Sequence, residues 1–191
     1  MLAEKMKMLI FTEGTILMHK SGLGHSRKER VRQVVEDDPS THDFRSYVQI
    51  GKAADKIRNW KNQGCEIRYL TSRTNPSEIN DIKEVLKKNN FPEGPLLFRG
   101  ENEDYKDVVE RNAPDVLIED DCESIGGAQE MTITHIKPEI RSKIKPITVE
   151  EFGGIDHLPD DVSRLKLMVE SCAPTPVGEK VRTGKKPEPG T

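Results

Sequence analysis

The sequence predicts an α/β fold, a three-layer sandwich in which helices cover both faces of a central parallel sheet. Three observations carry that expectation. Short apolar or alternating runs recur at Met8–Phe11, Cys65–Leu70, Leu96–Phe98 and Val116–Ile118. Stretches of helical periodicity separate them, the arrangement that right-handed crossovers between parallel strands require. Each run also ends abruptly in polar residues, and ligands of open parallel sheets bind outside those carboxyl ends.

The first strand, Met8-Leu9-Ile10-Phe11, is continuously apolar, as expected of a strand buried on both faces. It breaks at Thr12-Glu13-Gly14-Thr15, and a polar, glycine-containing stretch from Lys20 to His25 follows. Ser26 and Glu29 form a capping-box pattern ahead of a surface helix whose Val31, Val34 and Val35 share a face. A longer helix is expected from about Arg45 to Gln63, because Ile50, Ala53, Ala54, Ile57 and Trp60 recur at helical spacing before Gly64.

Cys65–Leu70 is the second strand and ends in Thr71-Ser72-Arg73. Asn75-Pro76 opens a helix with Ile79, Ile82, Val85 and Leu86 on one face, stopped at Asn89–Pro92. Leu96–Phe98 is the third strand, Glu103–Asn112 a short helix, and Val116–Ile118 a fourth strand running into Glu119-Asp120-Asp121. Gly126-Gly127 marks a turn, and Thr132–Ile136 and Ile147–Val149 are further strand candidates. The core is expected to span residues 1–157 with a small insert at about 18–45, then a helical extension over 158–171 and a disordered Pro-, Gly- and Lys-rich tail over 172–191.

Composition excludes several function classes. The 30 basic and 33 acidic residues are interspersed, so no basic block favours a nucleic-acid partner. Cys65, Cys122 and Cys172 are too few and too far apart for a disulfide framework or a zinc site. Neither the opening residues nor any later apolar run resembles a signal peptide or a membrane span, and a cytoplasmic protein is the expectation.

Four polar clusters converge on the strand ends: Thr12–Thr15, Thr71–Arg73, Arg99 and Glu119–Asp121. Thr12 and Gly14 are expected to bind a phosphate group, since glycine admits an anion close to the backbone. The hydroxyls of Thr71 or Ser72 are expected to meet a phosphoryl oxygen, and Lys106 to neutralise developing negative charge. Consecutive acids repel unless a cation compensates, which points to a hard divalent metal such as magnesium.

Taken together, an apolar strand followed by Glu13-Gly14-Thr15, a strand ending in Leu70-Thr71-Ser72, a lysine, and an apolar strand ending in Asp120-Asp121 resemble the haloacid dehalogenase-like superfamily. The resemblance covers roughly residues 8–127 and implies a Rossmannoid core. The family's first motif is Asp-x-Asp-Gly-Thr, in which the first aspartate attacks phosphorus and the second is general acid and base. Phe11 stands at the first position and Glu13 at the second. The resemblance further implies catalytic roles for Glu13 and Lys106, and metal binding by Asp120 and Asp121. Only about 55 residues separate the first two motifs, so any cap is minimal.

A phenylalanine forms no acyl phosphate. The expected function is therefore binding of a phosphorylated small molecule or nucleotide by a pseudoenzyme. Two alternatives are an active magnesium-dependent phosphohydrolase in which water attacks directly, with Glu13 or Asp120 as base, and a protein-interaction module on the same scaffold.

Overall fold

A computed structural model describes residues 5–168. The elements in chain order are β1 (Lys7–Phe11), β2 (Leu17–Met18), α1 (Arg27–Val35), β3 (Val48–Gln49), α2 (Ala53–Asn62), β4 (Glu66–Leu70), α3 (Pro76–Lys88), β5 (Leu96–Leu97), α4 (Tyr105–Asn112), β6 (Val116–Asp120), α5 (Thr132–His135), α6 (Pro138–Arg141), β7 (Lys145–Val149) and α7 (Val162–Leu167). The expected disordered tail lies outside the described residues, as does the end of the proposed helical extension beyond α7. No helix among the described residues is long and apolar enough to cross a membrane.

Five strands form one parallel sheet in the order β5-β4-β1-β6-β7. The apolar β1 takes the central place, where both its faces are covered. Met8 and Ile10 face a cluster with Ala53, Ile57 and Trp60 of α2 and Ile82 and Val85 of α3. Leu9 faces the other way, onto Val108 and Val109 of α4 and onto Ile133 and Ile144. Alternation along the strand therefore supplies both interfaces of the sandwich. Trp60 is fully buried, and its indole N–H donates to the Pro159 carbonyl at 3.0 Å, which ties the chain beyond β7 to α2.

Local signals set most boundaries. Ser26 and Glu29 form the expected capping box at α1, and Asn75 caps α3 with Pro76 in its first turn. Two expectations fail. The helix expected from Arg45 begins only at Ala53, because Phe44–Ser46 is an isolated turn and Val48–Gln49 pairs antiparallel with β2. Gly51, at φ +56°, turns the chain, and the Asp156 carboxylate accepts from the Lys52 N–H at 2.9 Å. The β-branched Thr132–Ile136 segment is not a strand but contains the single turn α5, because its Thr132 and Ile133 amides bind a side chain from β6.

The residues between β2 and β3 carry α1. Arg30 donates to the Phe152 carbonyl at 3.1 Å, and Arg27 pairs with Glu123 at 2.5 Å, so α1 is fastened to loops beyond β6 and β7. Directly after β2, His19 is fully buried, with Nε2 at 2.9 Å from Gln33 and Nδ1 without a partner among the described residues. Burial holds its pKa below the ordinary 6.5, outweighing the raising effects of Gln33 and Asp38. The unfolded chain therefore binds the proton more tightly. The stability His19 gives is complete above pH 6.5 and is lost as pH falls towards its folded-state value. Accordingly, wild type should lose stability relative to His19→Gln between pH 7.5 and pH 5, and the protection of the α1 amides against hydrogen exchange, corrected for intrinsic rates, should fall with it. Equal pH slopes for the two proteins in denaturant melts would refute this.

Candidate functional site

Because β1, β4 and β6 are adjacent and parallel, their carboxyl ends open onto one rim. Two groups of side chains occupy it, one where β1 meets β4 and one where β1 meets β6.

At the first junction, Phe11 closes β1 and packs with the apolar cluster under α4. Its ring lies edge-on to Tyr105 at 5.6 Å between centroids. The Glu13 side chain turns towards the end of β4 and is only 11% exposed. Its Oε1 accepts the Thr71 hydroxyl at 2.6 Å and lies 3.4 Å from the Arg73 guanidinium. Its Oε2 accepts the Ser72 backbone N–H at 3.1 Å and the Thr12 hydroxyl at 2.5 Å. The Thr12 hydroxyl also lies 3.2 Å from the Leu70 carbonyl and shares its one proton between the two acceptors.

The donors are themselves held in place. Arg73 donates to the Ser72 hydroxyl from Nε and Nη2 at 3.2 and 2.7 Å and stacks on Phe44 at 4.4 Å. Tyr105 donates to the Ser72 carbonyl at 3.1 Å, and the Arg99 guanidinium stacks on the Tyr105 ring at 4.2 Å.

At the second junction, Asp120 is buried. Its Oδ2 accepts the Thr15 hydroxyl at 2.9 Å and its Oδ1 the Cys122 N–H at 3.0 Å. Asp121 accepts the Glu151 N–H at 3.0 Å, and Glu151 accepts the Ser124 N–H and hydroxyl, both at 2.7 Å. Asp120, Asp121 and Glu151 each offer an oxygen within 4.8 Å of the others, a set of hard donors suited to a divalent cation. Burial raises the pKa of Asp120 and of Glu151, and the neighbouring carboxylates add to it. A bound cation would relieve both effects.

The expected site residues fall into distinct places. Glu13, Thr12, Thr71 and Ser72 come together, with Ser72 contributing its amide and its hydroxyl orienting Arg73. The Gly14 N–H instead donates to the Leu17 carbonyl at 2.9 Å within the turn. Lys106 makes no hydrogen bond or ion pair to a rim carboxylate among the described residues, and its charge bears on Glu110. Glu119 leaves the acidic group altogether. It faces the other side of the sheet, where its carboxylate accepts the Thr132 and Ile133 amides at 2.8 and 3.0 Å, and burial pushes its pKa up to about 7. Strand alternation already separates Glu119 from Asp120. Glu151 was missed, although it follows a strand end by the rule that marks the other clusters, and Arg73 was placed in the Thr71–Arg73 cluster but given no role of its own.

A solved structure of a class C acid phosphatase from Bacillus anthracis, with tungstate bound, is similar to this chain. Identity is 13% and the TM-score 0.48, over 80% of this chain and 70% of that one. No family model matches the sequence, and no curated protein matches it.

Gly14 has φ +80°, and a Cβ there would stand 2.7 Å from Asp120 Oδ2. Gly14→Ala should therefore cost roughly 1–3 kcal/mol of stability from the backbone conformation, with displacement of Asp120 in addition. Chemical denaturation checks this, and a loss below 0.5 kcal/mol, the scale of a neutral surface change, would contradict it.

Proposed function

We propose that this chain is a divergent haloacid dehalogenase-like protein. In this reading it binds a phosphorylated small molecule or nucleotide at the β1–β4 junction and forms no aspartyl phosphate. The observation that carries the reading is the set of four converging donors, the Thr12 and Thr71 hydroxyls, the Ser72 amide and the Arg73 guanidinium. They surround one anionic group beside an apolar side chain, Phe11. Donors gathered on a single negative charge form an oxyanion-binding device, and a guanidinium matches a phosphate oxygen pair as well as it matches a carboxylate.

The chemistry follows from what each residue can do. Thr71, Ser72 and Arg73 would hold phosphate oxygens, with Arg73 taking the charge-neutralising part that the sequence suggested for Lys106. Asp120, Asp121 and Glu151 would hold magnesium, which when bound offsets the charge of the phosphoryl oxygens. Phe11 offers no lone pair to phosphorus, so the covalent route is closed. Without that step the site positions and neutralises a phosphate ester but supplies no protein nucleophile to attack it.

The test writes both family carboxylates back. Wild type should hydrolyse para-nitrophenyl phosphate no faster than Asp120→Asn, with or without magnesium. Phe11→Asp combined with Glu13→Asp should gain magnesium-dependent turnover. In wild type, millimolar inorganic phosphate should shift the Ser72 and Arg73 amide resonances. Steady wild-type turnover that Asp120→Asn abolishes would install direct attack by water instead. Unmoved resonances together with an inactive double variant would remove the phosphate reading.

A further inference from the structure

The donors at the β1–β4 junction are not free in this structure, and their occupant comes from the chain itself. Glu13 places one oxygen between the Thr71 hydroxyl and Arg73 and the other between the Ser72 amide and the Thr12 hydroxyl. A carboxylate engaged through both oxygens by hydroxyl, amide and guanidinium donors presents the same acceptors as two oxygens of a phosphoryl group. A general acid or base needs a carboxylate aimed at substrate, and here both oxygens are directed at protein donors.

We propose that Glu13 is an intramolecular competitor for the phosphate site, a side chain that closes the cradle and is displaced when a phosphomonoester enters. The proposal rests on the phosphate reading above and adds to it the mechanism that sets affinity. Three features support an exchange of occupants over a fixed structural knot. The Glu13 backbone is anchored by a bridge to Leu17, so rotation of the side chain alone vacates the cradle. Three of the donors do not depend on Glu13 for their positions. Thr71 Oγ1 is held by the Arg73 N–H at 3.1 Å, Arg73 by the Ser72 hydroxyl and the Phe44 ring, and the Ser72 backbone through its carbonyl, which accepts from Tyr105. Thr12, the fourth, has the Leu70 carbonyl as a second acceptor and loses no hydrogen bond when Glu13 leaves.

The consequence is quantitative. A ligand that binds only the open cradle has its apparent affinity reduced by the fraction of molecules in which Glu13 has swung out. The closed state also keeps Arg73 paired and the Thr71 hydroxyl satisfied, so these two donors keep a partner when no ligand is bound.

Isothermal titration calorimetry with inorganic phosphate tests this on the full chain. Glu13→Ala should bind phosphate roughly tenfold tighter than wild type or more, the scale of a charge-assisted hydrogen bond set free. Adding Thr71→Val should remove the gain. That second change leaves net charge untouched, so its effect separates an opened donor site from a simple loss of negative charge. Glu13→Gln keeps the volume and serves if the alanine variant does not fold, with the same order of affinities and a smaller gain. If wild type and Glu13→Ala bind equally and Thr71→Val weakens both, the cradle binds phosphate and the competitor role of Glu13 falls. If no variant binds phosphate, the phosphate reading falls and takes this proposal with it.

Discussion

The interaction on which the rim depends is the convergence of donors on the Glu13 carboxylate. Thr12, Thr71, Ser72 and Arg73 come from the ends of two adjacent strands, and each directs a hydrogen-bonding group at the same two oxygens. Without an anion at that point, a guanidinium and two hydroxyls would face one another in a partly buried space. The fold therefore demands a negative charge at the β1–β4 junction, and Glu13 meets that demand from within the chain. Parallel packing of β1 against β4 creates the requirement, because it brings Phe11 opposite Leu70 and so sets the two following loops side by side.

The β1–β6 junction has the opposite character. There Asp120, Asp121 and Glu151 gather negative charge, and hydroxyl and amide donors from Thr15, Cys122 and Ser124 offset part of it. Gly14 joins the two halves of the rim, since only a residue without Cβ lets Asp120 approach the turn that carries Glu13. In the proposed reading, an anion cradle beside a cation-suited cluster would serve a metal-associated phosphate ester. Phe11 is bonded into the same strand but contributes packing against Tyr105 in place of a reactive oxygen.

Much of the fold was legible in the chain. Apolar runs placed β1, β4, β5, β6 and β7, and capping residues placed the starts of α1 and α3. The misreadings share one cause. The Arg45–Gly51 segment has helical spacing, but pairing with β2 and a left-handed glycine override it. The Thr132–Ile136 segment has strand-forming residues, but Glu119 captures its amides and bends it into a turn. In both, a contact distant in sequence outweighs local propensity, which is the weaker force.

The sequence by itself determined that a parallel α/β sheet would carry polar clusters at its strand ends, and that the central strand would end in an aromatic side chain, Phe11. Those are properties of residue identity, alternation and order along the chain. Only the tertiary structure decided which charges meet. It gave Glu119 the Thr132 and Ile133 amides as partners, brought in Glu151 from beyond β7, and set Arg73 rather than Lys106 beside Glu13. The physical reason is that hydrogen bonds and ion pairs form between groups a few ångströms apart in space. For residues separated by tens of positions, that distance exists only once the strands have paired.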